Sequence, residues 1–138
     1  MKLDLFDNIS RNFKWHECLY LPRWDVHAFP NSEEVYFELI NTIDKMQLIR
    51  DFIDKPIIIT SMYRPLEYNK LIGGANKSNH IFGMACDFKV KGQKCDVTRK
   101  LLLNKLEEFN IRMENNPGSN WVHIDTNVKK NGKRYFKP

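Results

Sequence analysis

Apolar residues recur along the chain with two periods, and the alternation between them outlines the elements. The longest three-and-four pattern lies in "NSEEVYFELINTIDKMQLIRDFID", where Leu39, Ile40, Ile43, Met46 and Ile49 or Ile53 repeat. That spacing lines one face of a helix, and Asn31 followed by Glu34 makes a capping-box pattern at its start. "CDVTRKLLLNKLEEFN" reads as a second amphipathic helix with Asp96 as its cap. Between them Pro56 opens "PIIITS", a β-branched run expected as a buried strand. Pro65 suits the start of a short helix, where its missing N–H has no partner to lose. Gly73 and Gly74 end that helix and open a loop. "MACDFKV", "IRMEN" and "WVHIDTNV" read as strands, "NNPGSN" as a turn, and Asn131-Gly132 as a hairpin turn. The first 30 residues show no sustained period. They predict a helical turn near "KWHECLY" and then a loop that wraps the domain. Helices separated from strands predict an α+β fold, a small antiparallel sheet with flanking helices.

The chain of 138 residues suits one domain spanning 1–138,. No apolar run approaches the roughly 20 residues that cross a bilayer, and "MKLDLFDNISRNFKW" lacks a signal-peptide core. The expectation is a monomer with no membrane partner, cytoplasmic in the producing cell unless exported or released by other means. The net charge of +5 favours polyanions,. Much of the excess lies in "VKKNGKRYFKP", read as a solvated basic end, and no nucleic-acid-binding signature accompanies it. Cys18, Cys86 and Cys95 match neither a disulfide framework nor a zinc knuckle and read as reduced.

Two segments carry candidate chemistry. In "NWVHIDT" the extended period puts Trp121, His123 and Asp125 on one face and the core residues Val122 and Ile124 on the other. In "SNHIFGMACDF" six residues separate His80 from Asp87, and Gly83 lets the chain turn between them. Two imidazoles and a carboxylate suit zinc, whose catalytic sites use three protein ligands. Read alone, these residues also fit a histidine that caps its loop and an aspartate paired with a lysine.

"SNHIFGMACD" fits a Ser-x-His-x-x-Gly-x-Ala-x-Asp pattern, "WVHID" a second metal strand, "ITSMYRP" a Ser-Gly-Tyr-Arg segment, and "YNKLIGGANKS" an Asn-Lys-x-x-Gly-Gly loop. With "NFKWHE" near the start, the sequence resembles the zinc D-Ala-D-Ala carboxypeptidase family, peptidase M15, whose fold is shared with the hedgehog signalling domain. The likeness runs in order from about residue 10 to about residue 127. It implies Zn2+ held by His80, Asp87 and His123, and Arg64 steadying a substrate carbonyl or carboxylate. Ser78, Tyr63 and Trp121 are the expected substrate-binding residues, and Asp125 is expected to orient a ligand imidazole or Arg64.

Two positions depart from the pattern. Met62 replaces a glycine, and Asn120 stands where several branches carry an acidic general base. Asn cannot take a proton at neutral pH. Asp125, with Glu114 next, is therefore the expected substitute. The resemblance implies a zinc metallopeptidase that cuts bacterial peptidoglycan stem peptide next to a D-amino acid, as a D,D-carboxypeptidase or phage endolysin. The rivals are a zinc-stabilised binding domain without catalysis and a basic virion protein.

Overall fold

Leu39, Ile43, Met46 and Ile49 are fully buried along one stripe of helix α2 (Glu33–Ile53). Each contributes about 1.5–3 kcal/mol by leaving water. The computed structural model that shows this describes residues 3–130 and 132–138. The stripe packs with Cys86 and Phe88 of β6 (Ala85–Val90), Val122 and Ile124 of β8 (Val122–Asp125) and Met113 of β7 (Arg112–Glu114).

With β5 (Ile57–Ser61) and β9 (Tyr135–Phe136), these strands form a five-stranded sheet in the order β5-β6-β8-β7-β9. Three pairings are antiparallel, but β9 joins β7 in parallel. The sheet is therefore mixed, not purely antiparallel, within the expected α+β class. Asn131 of the expected hairpin turn lies outside the described residues. The segment after it reaches β7, not the preceding strand β8.

Three other expectations are corrected. Helix α2 starts at Glu33 with Ser32 as N-cap and no side-chain cap bond, so Asn31 and Glu34 do not form the box. Helix α4 (Cys95–Leu102) is capped by Lys94, with Asp96 inside its first turn. It ends at Leu102 because Lys105 N donates to the Leu102 carbonyl three residues back (2.8 Å). That tighter turn carries Leu106 and Phe109 into the core. The strand β5 lies at an edge of the sheet, so Ile58 stays 51% exposed instead of buried.

The first 30 residues wrap with more order than expected. Two short antiparallel pairs, β1 (Asn8–Ser10) with β2 (Phe13–Lys14) and β3 (Tyr20–Leu21) with β4 (Val26–His27), flank helix α1 (Trp15–Leu19). Helix α3 (Leu66–Leu71) follows Pro65 as read, and Gly73 continues the chain at φ +76°. Cys18 and Cys86 are buried, and all three cysteines are free. No helix among the described residues is long and apolar enough to cross a membrane.

Gly83 sets the depth of the candidate site. It ends the 3-10 turn Asn79–Phe82 at φ +75°, and a Cβ there would lie 2.9 Å from the Val35 carbonyl oxygen. Thr42 Oγ1 on α2 donates to the Gly83 carbonyl (2.8 Å). The turn that carries His80 is thereby pressed onto α2 and under the sheet.

Candidate metal centre

Sheet register brings the chemistry into one row. Ser61 pairs with Asp87, and Asp87 pairs with His123. On the far side Arg112 pairs with Asp125 and Met113 with Ile124. Continuing that register by one residue sets Glu114 opposite His123, on the face that Arg112 shares with Asp125. Residues opposite each other in a sheet present their side chains to the same face. Cys86 and Ile124, one step out of phase, enter the core instead.

His80 joins the row from the 3-10 turn. Its Nδ1 lies 2.7 Å from the Met62 carbonyl oxygen. A carbonyl only accepts, so Nδ1 carries the ring proton. Burial pushes the His80 pKa down and outweighs the pull of Asp87, so the ring is neutral with a lone pair on Nε2. That Nε2 is buried and has no hydrogen-bond partner, although Asp87 Oδ1 is 3.3 Å away. Two acceptors thus face each other across a gap. His123 Nδ1 lies 2.8 Å from the same Oδ1.

A cation resolves this arrangement. The ligand atoms of His80, Asp87 and His123 lie within 4.8 Å of one another, and zinc bonds of about 2.1 Å separate tetrahedral ligands by about 3.4 Å. Burial disfavours the Asp87 charge, but the hydrogen bond and charge of the protonated His123 hold its carboxyl well below the usual carboxylate range. Burial likewise disfavours charge on His123, yet hydrogen bonds to Asp125 and Asp87 win and raise its pKa to about 9. Without a metal, the site keeps a proton on His123 as its cation. The donor set, the orphaned nitrogen and the trapped carboxylate all fit zinc.

A family model for peptidase M15 matches residues 14–125. The chain belongs to the peptidase M15 family. Among curated proteins no relative matches it. Membership implies a metallopeptidase, and M15 peptidases use zinc, which agrees with the His-Asp-His group.

In this M15 member the three histidine and aspartate side chains lie at the base of a cleft of about 410 Å³. Arg64, Ser78, Glu114, Trp121 and Asp125 also line it. Tyr63 does not; it packs against the hydrophobic core. Asn120 is exposed and outside the cleft lining. Met62, at the glycine position of the family pattern, buries its side chain in the core while its carbonyl holds His80. Ser78 Oγ accepts from His80 N (3.2 Å) and so braces the turn.

Arg64 spreads its guanidinium over three partners. Nε donates to Ser61 Oγ (2.9 Å), Nη1 to Asn69 Oδ1 (3.3 Å) and Nη2 to Asp87 Oδ2 (3.1 Å). Asp87 therefore offers Oδ1 to the metal position and Oδ2 to Arg64. Asp125 turns to His123 Nε2 (3.5 Å), not to Arg64. Its oxygens are forked by Arg112 Nε (2.8 Å) and Nη2 (3.0 Å), and it is fully buried.

Two arginines escaped the sequence reading. Arg112, 3% exposed, also donates to the Lys130 carbonyl (3.0 Å) and lies 4.0 Å from the Phe136 ring centre. The signal was available: Ile111 and Met113 alternate with Arg112 and Glu114, as Val122 and Ile124 alternate with His123 and Asp125. Arg99, 5% exposed, donates to the Trp121 carbonyl (2.8 Å), the Ser119 carbonyl (3.0 Å) and Asp96. Asp96, expected as a cap, instead anchors that brace and accepts from Gly118 N (3.0 Å). Trp121, 43% exposed, is thus held at the cleft lip.

Proposed function

We propose that the protein is a zinc-dependent peptidase that cleaves bacterial cell-wall stem peptide next to a D-amino acid, with Glu114 as its proton carrier. The carrying observation is that His80, Asp87 and His123 line one cleft together with Glu114 at the end of β7, which supplies a carboxylate in the cleft besides the metal ligands. Zinc, when bound, supplies a Lewis acid that polarises a carbonyl and acidifies water.

The chain's own residues supply the rest. Glu114 accepts one side-chain bond, from the Asn116 amide (3.2 Å). Its second oxygen is available to take a proton from the attacking water and return it to the leaving amine. Asp125 has the weaker claim despite its position next to His123. Both of its oxygens are held by Arg112, and a carboxylate in a charged fork is a poor base. Arg64 keeps one N–H on each of Nη1 and Nη2 beyond its bonds to the protein, and these can bind the carbonyl oxygen as charge grows on it. Arg64, Lys77, Lys130 and Lys137 give the cleft positive charge, which suits a stem peptide bearing free carboxylates.

The test is turnover of peptidoglycan fragments by Glu114→Gln and Asp125→Asn, with zinc measured in each. Glu114→Gln should keep its metal and lose about 10²–10⁴-fold in kcat. A Glu114→Gln enzyme that turns over at the wild-type rate removes Glu114 from the reaction.

A further inference from the structure

The segment "YNKLIGGANKS" supplies no metal ligand and no acid or base, yet it holds the most tightly enclosed amide near the cleft. Asn69 on α3 is fully buried. Its Oδ1 accepts from Arg64 Nη1 (3.3 Å), and its Nδ2 donates to the Ala75 carbonyl (2.8 Å). The two ends of one amide are thus committed, one to Arg64 and one to the loop that carries Ala75, Lys77 and Ser78 along the cleft wall. The backbone closes the same unit, since Gly74 N donates to the Asn69 carbonyl (2.9 Å).

Gly74 leaves no room for any other arrangement. A Cβ at that position would lie 2.1 Å from Asn69 Oδ1 and 2.7 Å from Asn69 Cγ. Its φ is not in the left-handed region, so the glycine answers to space and not to backbone shape. A side chain there would expel the amide oxygen that meets Arg64. By contrast Gly73, with φ +76°, has open space around it.

From this we infer that Asn69 is a positioning residue for Arg64, and that Gly74 is its seat. Ser61, Asn69 and Asp87 fix the guanidinium plane from three sides. Ser61 and Asp87 belong to the sheet, whereas Asn69 ties the same plane to loop 73–78 through the Ala75 carbonyl. The orientation of Arg64 and the height of the loop lip are therefore set together. Misplacing a substrate-facing group by about 1 Å can cost about 100-fold in rate. The kinetic part of this inference rests on the function proposed above; the positioning itself does not.

The experiment uses the zinc-loaded chain with Asn69→Ala and Gly74→Ala, each with Arg64 present and with Arg64→Lys. The first readout is the Arg64 side-chain Nε–H signal by nitrogen-proton NMR, identified by its loss in Arg64→Lys. Both variants should keep one zinc per chain, shift that signal and speed its exchange with water. Turnover of peptidoglycan fragments should fall about 10-fold to 100-fold, and by less than about twofold once Arg64 is already lysine. Gly74→Ala keeps every polar side chain and serves if Asn69→Ala fails to fold. An unchanged Arg64 signal in a folded, zinc-loaded variant overturns the inference, as does an equal loss of turnover in the lysine background. A shifted signal in a protein whose wild type is inert supports the positioning and counts against the peptidase reading alone.

Discussion

Replacing Arg112 with methionine strips the fork from a carboxylate that has no solvent to turn to. Asp125 is fully buried and Arg112 is 3% exposed, and their two bonds are 2.8 Å and 3.0 Å. After the change Asp125 keeps only His123 at 3.5 Å and the Asn127 N–H at 3.1 Å. Removing one member of a buried ion pair costs about 3–5 kcal/mol, because the other charge stays desolvated. A domain of this size loses about 3–5 °C in Tm per kcal/mol, which converts the loss to roughly 10–25 °C. Asp125→Leu should cost a similar amount by stranding Arg112. The double variant Arg112→Met with Asp125→Leu removes both charges and should be more stable than either single one. Calorimetry of all four proteins in zinc-free buffer completes the cycle. Single losses below about 1 kcal/mol, or losses that simply add in the double variant, refute the reading that Asp125 depends on the Arg112 fork.

Asp125 and Asp87 raise the His123 pKa to about 9 against its burial, and zinc must displace that proton, so apparent zinc affinity should climb about tenfold per pH unit between about pH 7 and 9. Competition with a chelator of known protonation measures this, and a flat profile contradicts the assignment of His123 as a ligand. Gly83 and Gly92 share nearly the same φ, +75° and +73°, but only Gly83 faces the Val35 carbonyl. Gly92→Ala should cost about 1 kcal/mol for its backbone conformation. Gly83→Ala should cost at least about 2 kcal/mol more in chemical denaturation, and equal costs contradict the tight seat of the His80 turn on α2.

Much of the site was legible because strand alternation is a strong signal. Val122 and Ile124 had to enter the core, which committed His123 and Asp125 to the other face. The reach of α2 was legible for the same reason, from one apolar stripe. Its start was not, since neither Asn31 nor Glu34 makes the expected cap bond and Ser32 caps through backbone geometry alone. The Arg112–Asp125 fork depends on which residue of β7 meets which residue of β8, and that register follows from pairing across the turn. The same register moved the preferred proton carrier from Asp125 to Glu114. Two-residue strands such as β3 and β9 carry too few positions to show a period, so the parallel partner of β7 was invisible. Tyr63 was placed by its neighbour Arg64 in the motif, but the strand end turns the two side chains apart.

The central claim is peptide-bond hydrolysis in the bacterial wall by a zinc-loaded His80-Asp87-His123 site. The direct measurement is mass spectrometry of the fragments released from purified peptidoglycan by zinc-loaded protein, by chelator-stripped protein, and by stripped protein given zinc again. The account predicts new amino and carboxyl ends within the stem peptide from the first and third samples, and none from the second. A protein carrying one zinc per chain that releases no peptide fragment, or that cuts equally well when stripped, contradicts it.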